Sequence, residues 1–546
     1  MPSTAPYLTE ERMREWRARG WWRGETFLDD LRRAAERSAD KPAFIMHHGA
    51  GTTTLTWAEL ARLSDRFAGA LLDLGVGRGD FVALQLPNWW MIPPLVLACM
   101  RLGAVVCPLI PAYRRREVRF VLERTGTRVC IVPAEAEGFD YAGMLAEIAA
   151  DLPSLRHQVV VGPPRPGAIG FQEHFVERRW EDEHPPAELD RHAPGPDDPA
   201  LLLFTSGTTG EPKGVLHSYN TLYGVARAPI VPFRLGPDDV LVSPLFLTHM
   251  AAFTYTLLTP LVLGATAVHH YPWHPGRLLD LVAQHRATFL YVAPQQLVEV
   301  LATQRERPRK VSGSLRYAVT GSAPVRPQLI DQVRELLGVR LYALWGMTEN
   351  GSVTITRPED PADWAAHSDG YPVPWMEVRV DAGGSADGIG RLLVRGASQC
   401  LGYYRRDELY AGLVDGEGWF DTGDLARPDG RGGIRIVGRA VDLIIRGSYK
   451  IPVLEVEAIL QHHPQVREIA LVGYTDPGLG ERACAVVVPD GDPPTLEALR
   501  ARLRAEGVTE YFWPERIEVV DALPKTPIGK VQKHFLRERL AAREQS

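Results

Sequence analysis

The sequence predicts an α/β protein with more than one domain. Its 546 residues exceed what a single hydrophobic core usually supports. Short apolar runs alternate with helical segments, a pattern typical of buried parallel strands joined by helices. These runs lie at 81–86, 129–132, 201–204, 240–242, 288–292, 317–319 and 341–344. After about Gly390 the runs alternate with Gly/Asp turns, at 391–395, 419–421 and 434–437, which predicts antiparallel strands.

One helix can be delimited from the residues at its ends. Thr56 and Glu59 have the spacing of a capping box, in which each residue bonds the backbone of the other. Leucine and phenylalanine then recur at helical spacing from Leu60 to Leu74, and Gly75 stands where a C-terminal capping glycine belongs.

Composition narrows the class of protein. Hydrophobic residues make up 45% and charged residues 23%, as in soluble globular proteins, and the net charge of −6 argues against a nucleic-acid binder. The odd count of five cysteines, without a C-x-x-C pair, argues against disulfides and zinc and fits a reducing cytoplasm. No signal peptide is expected at the N-terminus. The uncharged segment 251–268 is predicted to be a buried helix followed by a strand rather than a membrane span, and the polar segment 162–199 is predicted to be a surface excursion.

A loop rich in Gly, Ser and Thr follows the apolar run 201–204. Glycine lets backbone N–H groups approach an anion, hydroxyl groups donate to its oxygens, and a lysine adds positive charge. It is not a Walker A loop, because Pro212 stands where that motif needs Gly-Lys-Ser/Thr. Taken alone, the composition fits a flexible surface loop equally well. The candidate phosphate-binding residues are Thr205, Ser206, Gly207, Thr208, Thr209 and Lys213.

Five motifs in order give the chain a resemblance to the adenylate-forming (AMP-binding) superfamily, which includes acyl-CoA synthetases. They are Thr205–Gly214, Trp345–Glu349, Asp421–Asp424, Gly438–Asp442 and Pro524–Lys530. The resemblance implies an α/β fold with a large N-terminal region of doubly wound sheets plus a small barrel-like part, and a small mobile α+β C-terminal domain. It also implies an adenylation domain at 1–438, with the ATP and acyl pocket, and a mobile domain at 439–546 that carries a catalytic lysine.

The same resemblance assigns roles in the attack of a carboxylate on the ATP α-phosphate. Two anions must meet, so the site needs positive charge and oriented donors. Lys530 is the candidate cation between them, although a lone lysine near the C-terminus would otherwise be read as exposed. Glu349 is the candidate Mg²⁺ ligand, because a hard cation prefers carboxylate oxygen. Thr348 would donate to the α-phosphate, and Asp424, with Arg439 nearby, would accept the ribose hydroxyls.

Further residues are assigned to the nucleotide and acyl pocket. Trp345, followed by Gly346, occupies the position of an aromatic ring that stacks on adenine, and core packing is the alternative. His249 matches a gate at the carboxylate end of the pocket, although a lone histidine is more often structural. The loop between adenine and acyl group corresponds to Gly321, Ser322 and Ala323.

Within the superfamily, the chain resembles cyclohexanecarboxylate–CoA and short-chain acyl-CoA ligases, which implies a modest non-polar aliphatic or alicyclic acid. The subgroup resemblance is carried by segments such as 20–22, 85–90 and 511–515. The departures are Val441 at a hinge position that usually holds Asp or Lys, the segment 448–450, and the sequence of 321–323. These departures lie mainly in parts of the chain that, by the resemblance, serve the second half-reaction, in which the acyl group passes to a thiol.

Three hypotheses follow. The first is an acid–thiol ligase that uses ATP and Mg²⁺ to form an acyl-AMP and then an acyl-CoA, with coenzyme A as co-substrate. The second is a stand-alone adenylating enzyme that delivers the acyl group to an acyl carrier protein or an amine. The third is a catalytically inactive nucleotide-binding protein, and the intact Lys530, Glu349, Thr348 and Asp424 argue against it.

Overall fold

A nine-stranded sheet forms one half of the N-terminal region. The computed structural model describes residues 7–544 apart from 206–211, 310, 312, 322–324, 384–387, 443, 447–448, 477–479, 509, 527–528 and 530, with backbone alone at 441, 445, 449–450, 480, 511 and 544. The six inner strands run parallel and the outer ones antiparallel. In spatial order they are Tyr371–Pro372, Gly351–Ile355, Leu341–Met347, Tyr317–Gly321, Phe289–Tyr291, Val240–Val242, Thr266–Tyr271, Pro42–His48 and Gly51–Thr56.

An eight-stranded sheet forms the other half. It is parallel except for two antiparallel strands at one edge, so both large sheets confirm the predicted parallel pairing. Its order is Gly402–Tyr403, Lys213–Ser218, Pro199–Thr205, Val105–Pro108, Phe81–Leu84, Val129–Pro133, His157–Val161 and Ile169–Gly170. A short hairpin, Glu135–Ala136 with Phe139–Asp140, lies beside it.

Helices cover both large sheets in alternating layers. One set packs on the outer face of the nine-stranded sheet, at Pro275–Gln284, Pro294–Glu306 and Pro327–Leu337. A second set fills the space between the sheets, at Phe27–Arg37, Trp57–Asp73, Ile92–Arg101, Tyr219–Arg227, Met250–Phe253 and Thr259–Leu263. Arg115–Thr125 and Tyr141–Ala150 cover the outer face of the eight-stranded sheet. Shorter or peripheral helices are Glu10–Ala18, Trp180–Glu183, Pro186–Leu189, Ile230–Phe233 and Asp407–Ala411.

The smaller sheets confirm the predicted change of pattern after Gly390. Four antiparallel strands lie at Met376–Asp381, Gly390–Gly396, Phe420–Pro428 and Ile434–Arg439. The C-terminal part has a five-stranded mixed sheet at Ile444–Arg446, Tyr449–Ile451, Val466–Asp476, Gly480–Pro489 and Arg516–Val519. Its α-helices are Val453–Leu460, Leu496–Ala505 and Lys533–Glu544. This is the expected α+β unit.

The predicted helix ends are confirmed. Thr56 and Glu59 form a reciprocal capping box at the start of the helix Trp57–Asp73. Gly75 follows with φ +73°, the left-handed conformation that a glycine adopts without strain. The buried positions Leu60, Leu63 and Phe67 repeat at helical spacing and fill the space between the sheets.

The segment 251–268 also folds as expected. A helix begins at Met250, continues through a π-helical turn at Thr254–Leu258 and ends at Leu263, and the strand Thr266–Tyr271 follows. Within the described chain, no helix combines the length and apolarity that crossing a bilayer requires. All five cysteines are buried, and none of them forms a disulfide.

The segment 162–199 lies largely at the surface, as predicted, but it is also anchored in the core. Phe171, Phe175, Trp180 and Leu189 from this segment are buried in the core between the sheets. Phe175 packs edge-on against Phe67 with ring centroids 5.7 Å apart. The segment therefore covers the inner helices, with its abundant charged residues turned outward.

Candidate active site

The phosphate-loop motif is flanked by two antiparallel strands of the eight-stranded sheet. Thr205 ends one strand and Lys213 begins the next, and the two residues are opposite each other in register. Buried Leu201–Leu203 anchor the first of these strands. Ser206, Gly207, Thr208 and Thr209 lie outside the described residues. The Lys213 Nζ stands 5.2 Å from the centre of the Tyr403 ring, within range of a cation–π contact.

The motif Trp345–Glu349 lies at the carboxyl edge of the nine-stranded sheet. Gly321 ends one strand, Trp345 lies two residues before the end of the neighbouring parallel strand, and His249 follows the strand Val240–Val242 of the same sheet. Ligands of open α/β sheets bind at this edge, because loops from several strands meet there. Ser322 and Ala323 fall outside the described residues.

Two glycines are required by close packing around this motif. A Cβ at Gly346 would stand 2.2 Å from the backbone oxygen of Gly351, at a bulge in the strand pairing. Gly351 itself has φ +63°, and a Cβ there would lie 2.2 Å from a methyl of Val225. The backbone that carries Thr348 and Glu349 is thus pressed against the neighbouring helix.

The carboxylate of Glu349 is buried and held by a tyrosine. Glu349 is 7% exposed, and its Oε1 accepts a hydrogen bond of 2.7 Å from the Tyr403 hydroxyl. Burial and this neighbouring carboxylate raise the pKa of Tyr403 well above its ordinary value, so the hydroxyl stays a donor. No other donor to the carboxylate is found among the described residues, which suits an oxygen ligand for a hard cation. Tyr403 lies 54 residues away in sequence and carries no spacing signal.

Thr348 is fixed through its carbonyl by a histidine that the sequence did not single out. His217 Nε2 donates to Thr348 O at 2.7 Å, and His217 Nδ1 lies 2.9 Å from Thr221 Oγ1. Because a carbonyl can only accept, the Nε2–H tautomer is the one that satisfies both contacts. Burial lowers the pKa of His217 to about 4, so the ring is neutral near pH 7.

Asp424, Arg439 and Trp345 form a second buried cluster. Asp424 and Arg439 are register partners in the four-stranded sheet, and Arg439 Nε lies 2.7 Å from Asp424 Oδ1. Trp345 Nε1 donates to the other oxygen, Oδ2, at 3.0 Å. Trp345 and Asp424 are 8% and 5% exposed. The structure therefore joins Trp345 to two residues that lie 79 or more positions further along the chain.

His249 caps a helix. Its Nδ1 accepts a bond of 3.3 Å from Ala251 N at the start of the helix Met250–Phe253. The ring is half-buried, and burial lowers the pKa of His249 below its ordinary value, so it is neutral near pH 7. The cap supports the structural alternative for this residue and leaves a neutral ring at the carboxyl edge of the sheet.

The C-terminal lysine motif reaches the same edge. Lys530 itself lies outside the described residues, but Lys525 and Val531 pair as an antiparallel bridge on either side of it. Gly529 has φ +81°, and a Cβ there would lie 2.8 Å from Gln295 Oε1. Gln295 is in the first turn of the helix that follows the strand Phe289–Tyr291. The loop that carries Lys530 therefore contacts the large region beside the site.

The connection between the two regions is bracketed by ion pairs. Arg439 is held by Asp424 of the large region, and Asp442 is held by Arg537 of the last helix, at 2.5 Å. Residues 440–442 form a 3₁₀ turn between them. The side chain of Val441 is not described, Ser448 lies outside the described residues, and Tyr449–Ile451 is a strand.

Magnesium is the cation that the site chemistry suits. No group of three or more His, Cys, Asp or Glu that could hold a metal occurs among the described residues. Mg²⁺ usually needs only one or two carboxylates, because phosphates and water supply its other ligands. Glu349 fits that requirement.

Comparison with known proteins gives matches along almost the whole chain. The family model described as AMP-binding enzyme matches residues 31–404, and the AMP-binding enzyme C-terminal domain matches 455–530. The "Medium-chain fatty-acid--CoA ligase" of Escherichia coli K12 is 31% identical over 542 residues, covering 98% of this chain and 94% of its own length. The "Salicyl-AMP ligase / salicyl-S-ArCP synthetase" of Mycobacterium tuberculosis is 33% identical, covering 97% and 93%. The solved structure of the anthranilate CoA ligase AuaEII in complex with anthranoyl-AMP is similar with a TM-score of 0.82, 26% identity and coverage of 95% and 98%.

Proposed function

Because the chain belongs to the AMP-binding enzyme family, we propose that it joins a modest non-polar carboxylic acid to coenzyme A through an acyl-AMP. The family makes the protein an adenylate-forming, ATP-using enzyme that acts on small carboxylic acids. The proposal adds the acid, the acceptor and the residues that act. It is supported by the carboxyl edge of the nine-stranded sheet, where Thr348 and Glu349 follow one strand, Asp424 is hydrogen-bonded to Trp345 of that strand, and Gly529 approaches Gln295 after another.

In the first half-reaction, a carboxylate oxygen attacks the α-phosphate and pyrophosphate leaves. Lys530 would lower the repulsion between the two anions, and Thr348 would donate to the α-phosphate. Mg²⁺, when bound by Glu349, supplies further charge neutralisation on the phosphates. Asp424 would accept the ribose hydroxyls, and the motif from Thr205 to Lys213 would hold the terminal phosphates.

The segment that begins at His249 supports a non-polar acid. From Leu245 to Leu263 the chain contains no Asp, Glu, Lys or Arg. Met250 and Phe253 in this segment are buried. A second carboxylate or an amine on the substrate would find no charged partner from this segment, and an unpaired buried charge is costly.

In the second half-reaction, a thiol attacks the acyl carbonyl and AMP leaves. We assign residues 1–438 to the adenylation domain and 439–546 to a domain that rotates between the steps. Coenzyme A is the proposed thiol, as in the name of the E. coli relative. The name of the M. tuberculosis relative includes a carrier-protein product, and this favours a carrier protein as the second candidate acceptor.

The test combines an acid panel with variants of two lysines in one motif. Mass spectrometry of acyl-AMP and acyl-CoA identifies the acid and the acceptor. Lys530→Ala should lower adenylation by about 100-fold or more, while thioester formation from preformed acyl-AMP survives better. The matched control is Lys525→Ala, because Lys525 Nζ pairs with Glu468 at 2.8 Å on the C-terminal part. Equal losses in the two variants, or acyl-AMP that only a carrier protein or an amine consumes, would contradict the proposal.

A further inference from the structure

The Trp345–Asp424 hydrogen bond links a nucleotide motif of one sheet to the candidate ribose carboxylate of another. The indole belongs to the strand Leu341–Met347, and the carboxylate lies on the strand Phe420–Pro428. Both side chains are less than 10% exposed, and the bond length is 3.0 Å. A hydrogen bond between a neutral donor and a buried carboxylate is stronger than one between neutral groups.

The two carboxylate oxygens are held by different donors. Arg439 Nε contacts Oδ1 at 2.7 Å, and Trp345 Nε1 contacts Oδ2 at 3.0 Å. Contacts on both oxygens fix the plane of the carboxylate as well as its position. Each carboxylate oxygen can accept more than one hydrogen bond, so these contacts are compatible with acceptance from ribose hydroxyls.

We propose that Trp345 is a positioning residue for the ribose, acting through its indole N–H on Asp424. The inference rests on the function proposed above, in which Asp424 accepts the ribose hydroxyls. It differs from a stacking role, because stacking needs only the face of the ring, whereas this role needs the nitrogen at its edge. Phenylalanine at position 345 would retain an aromatic face and lose the donor.

The experiment measures nucleotide affinity by calorimetry on the full chain, with ATP, 2′-deoxy-ATP and 3′-deoxy-ATP. Trp345→Phe should weaken ATP binding by about tenfold, or about 1.4 kcal/mol. The loss should fall to about twofold or less for the deoxynucleotide that lacks the hydroxyl held by the carboxylate. With an acid from the panel, KM for ATP should rise while kcat changes by less than about threefold.

The matched control is Trp375→Phe. Trp375 is 1% exposed and belongs to the same apolar cluster as Trp345, and its indole nitrogen has no hydrogen-bond acceptor among the described residues. This variant removes the same atoms without removing a hydrogen bond, so it should leave the ratio of ATP to deoxynucleotide affinity unchanged.

The outcomes separate the alternatives. If Trp345→Phe weakens ATP and both deoxynucleotides equally, the ring acts by stacking or packing and the inference is wrong. If the wild-type protein binds all three nucleotides equally, the ribose is not read by Asp424 and the inference fails whatever the variant does, including a variant that fails to fold. If the nucleotide pattern holds but no acid releases pyrophosphate, the proposed function fails while the inference stands.

Discussion

Replacing His217 with glutamine should make the protein less sensitive to acid. Glutamine can keep a donor to the Thr348 carbonyl, but it does not titrate. Burial holds the pKa of His217 at about 4 in the folded protein, whereas an unfolded chain protonates histidine near pH 6.5. Protons therefore favour the unfolded chain between these values, and stability is lost as the pH falls through that window.

The size of the effect follows from the two pKa values. Between pH 7 and pH 5, the linkage of this one histidine removes about 2 kcal/mol of the free energy of unfolding. Urea unfolding followed by tryptophan fluorescence at both pH values measures the difference. We expect the acid-induced loss in His217→Gln to be smaller than in the wild type by about that amount.

A control variant separates this mechanism from a general effect of removing a histidine. The side chain of His367 is 56% exposed, and substitutions at exposed positions usually change stability by less than about 0.5 kcal/mol, so His367→Gln should stay close to the wild type at both pH values. If His217→Gln loses as much stability between pH 7 and pH 5 as the wild type does, His217 is protonated in the folded protein and the reasoning is refuted.

Three further substitutions test other parts of the site and its support. Tyr403→Phe removes the hydrogen bond to the Glu349 carboxylate. We expect the free energy of unfolding to fall by about 2 kcal/mol and pyrophosphate release to require more Mg²⁺. An unchanged Mg²⁺ titration would argue against a role for Glu349 as ligand. Gly351→Ala should abolish adenylation and lower the free energy of unfolding by more than about 2 kcal/mol, because its Cβ would overlap a valine. The control is Gly338→Ala: Gly338 also has a positive φ but has open space where a Cβ would lie, so this substitution should cost only about 1 kcal/mol. Lys533→Met leaves the buried carboxylate of Glu457 without its cation and should lower the free energy of unfolding of the C-terminal part by about 3–5 kcal/mol. A loss below about 1 kcal/mol would show that the pair is solvated.

Local sequence patterns predicted the helices and strands well. The apolar runs became strands and the Thr56/Glu59 pair became a capping box, because each depends on residues that are neighbours in sequence. The burial of aromatic residues in the segment 162–199 was not predicted, because these residues are few and dispersed among many charged ones. Their burial depends on a surface offered by Phe67 and its neighbours, which no local pattern reveals.

The contacts between residues of the site could not be predicted from the spacing of residues in the sequence. His217 and Thr348 are 131 residues apart, and Trp345 and Asp424 are 79 apart. Motifs identified Thr348, Trp345 and Asp424 separately, but only the folded sheets show which donor meets which acceptor. Tyr403 and His217 belong to no motif that we recognised, so the support of Glu349 and Thr348 emerged from the structure alone.

In the proposed rotation between the two half-reactions, the short connection at 440–441 limits how far residues 439–546 can travel. Arg439 is bound to the large region and Asp442 to the last helix, so two residues lie between the anchors. The Cα atoms of Arg439 and Asp442 are three peptide units apart, so even a fully extended chain separates them by no more than about 11 Å. A connection of this length lets the C-terminal domain change its orientation but keeps it next to the large region. The loop that carries Lys530 therefore stays near the site at an effective concentration on the order of millimolar. A C-terminal domain supplied as a separate chain at micromolar concentration would therefore restore little adenylation to residues 1–438.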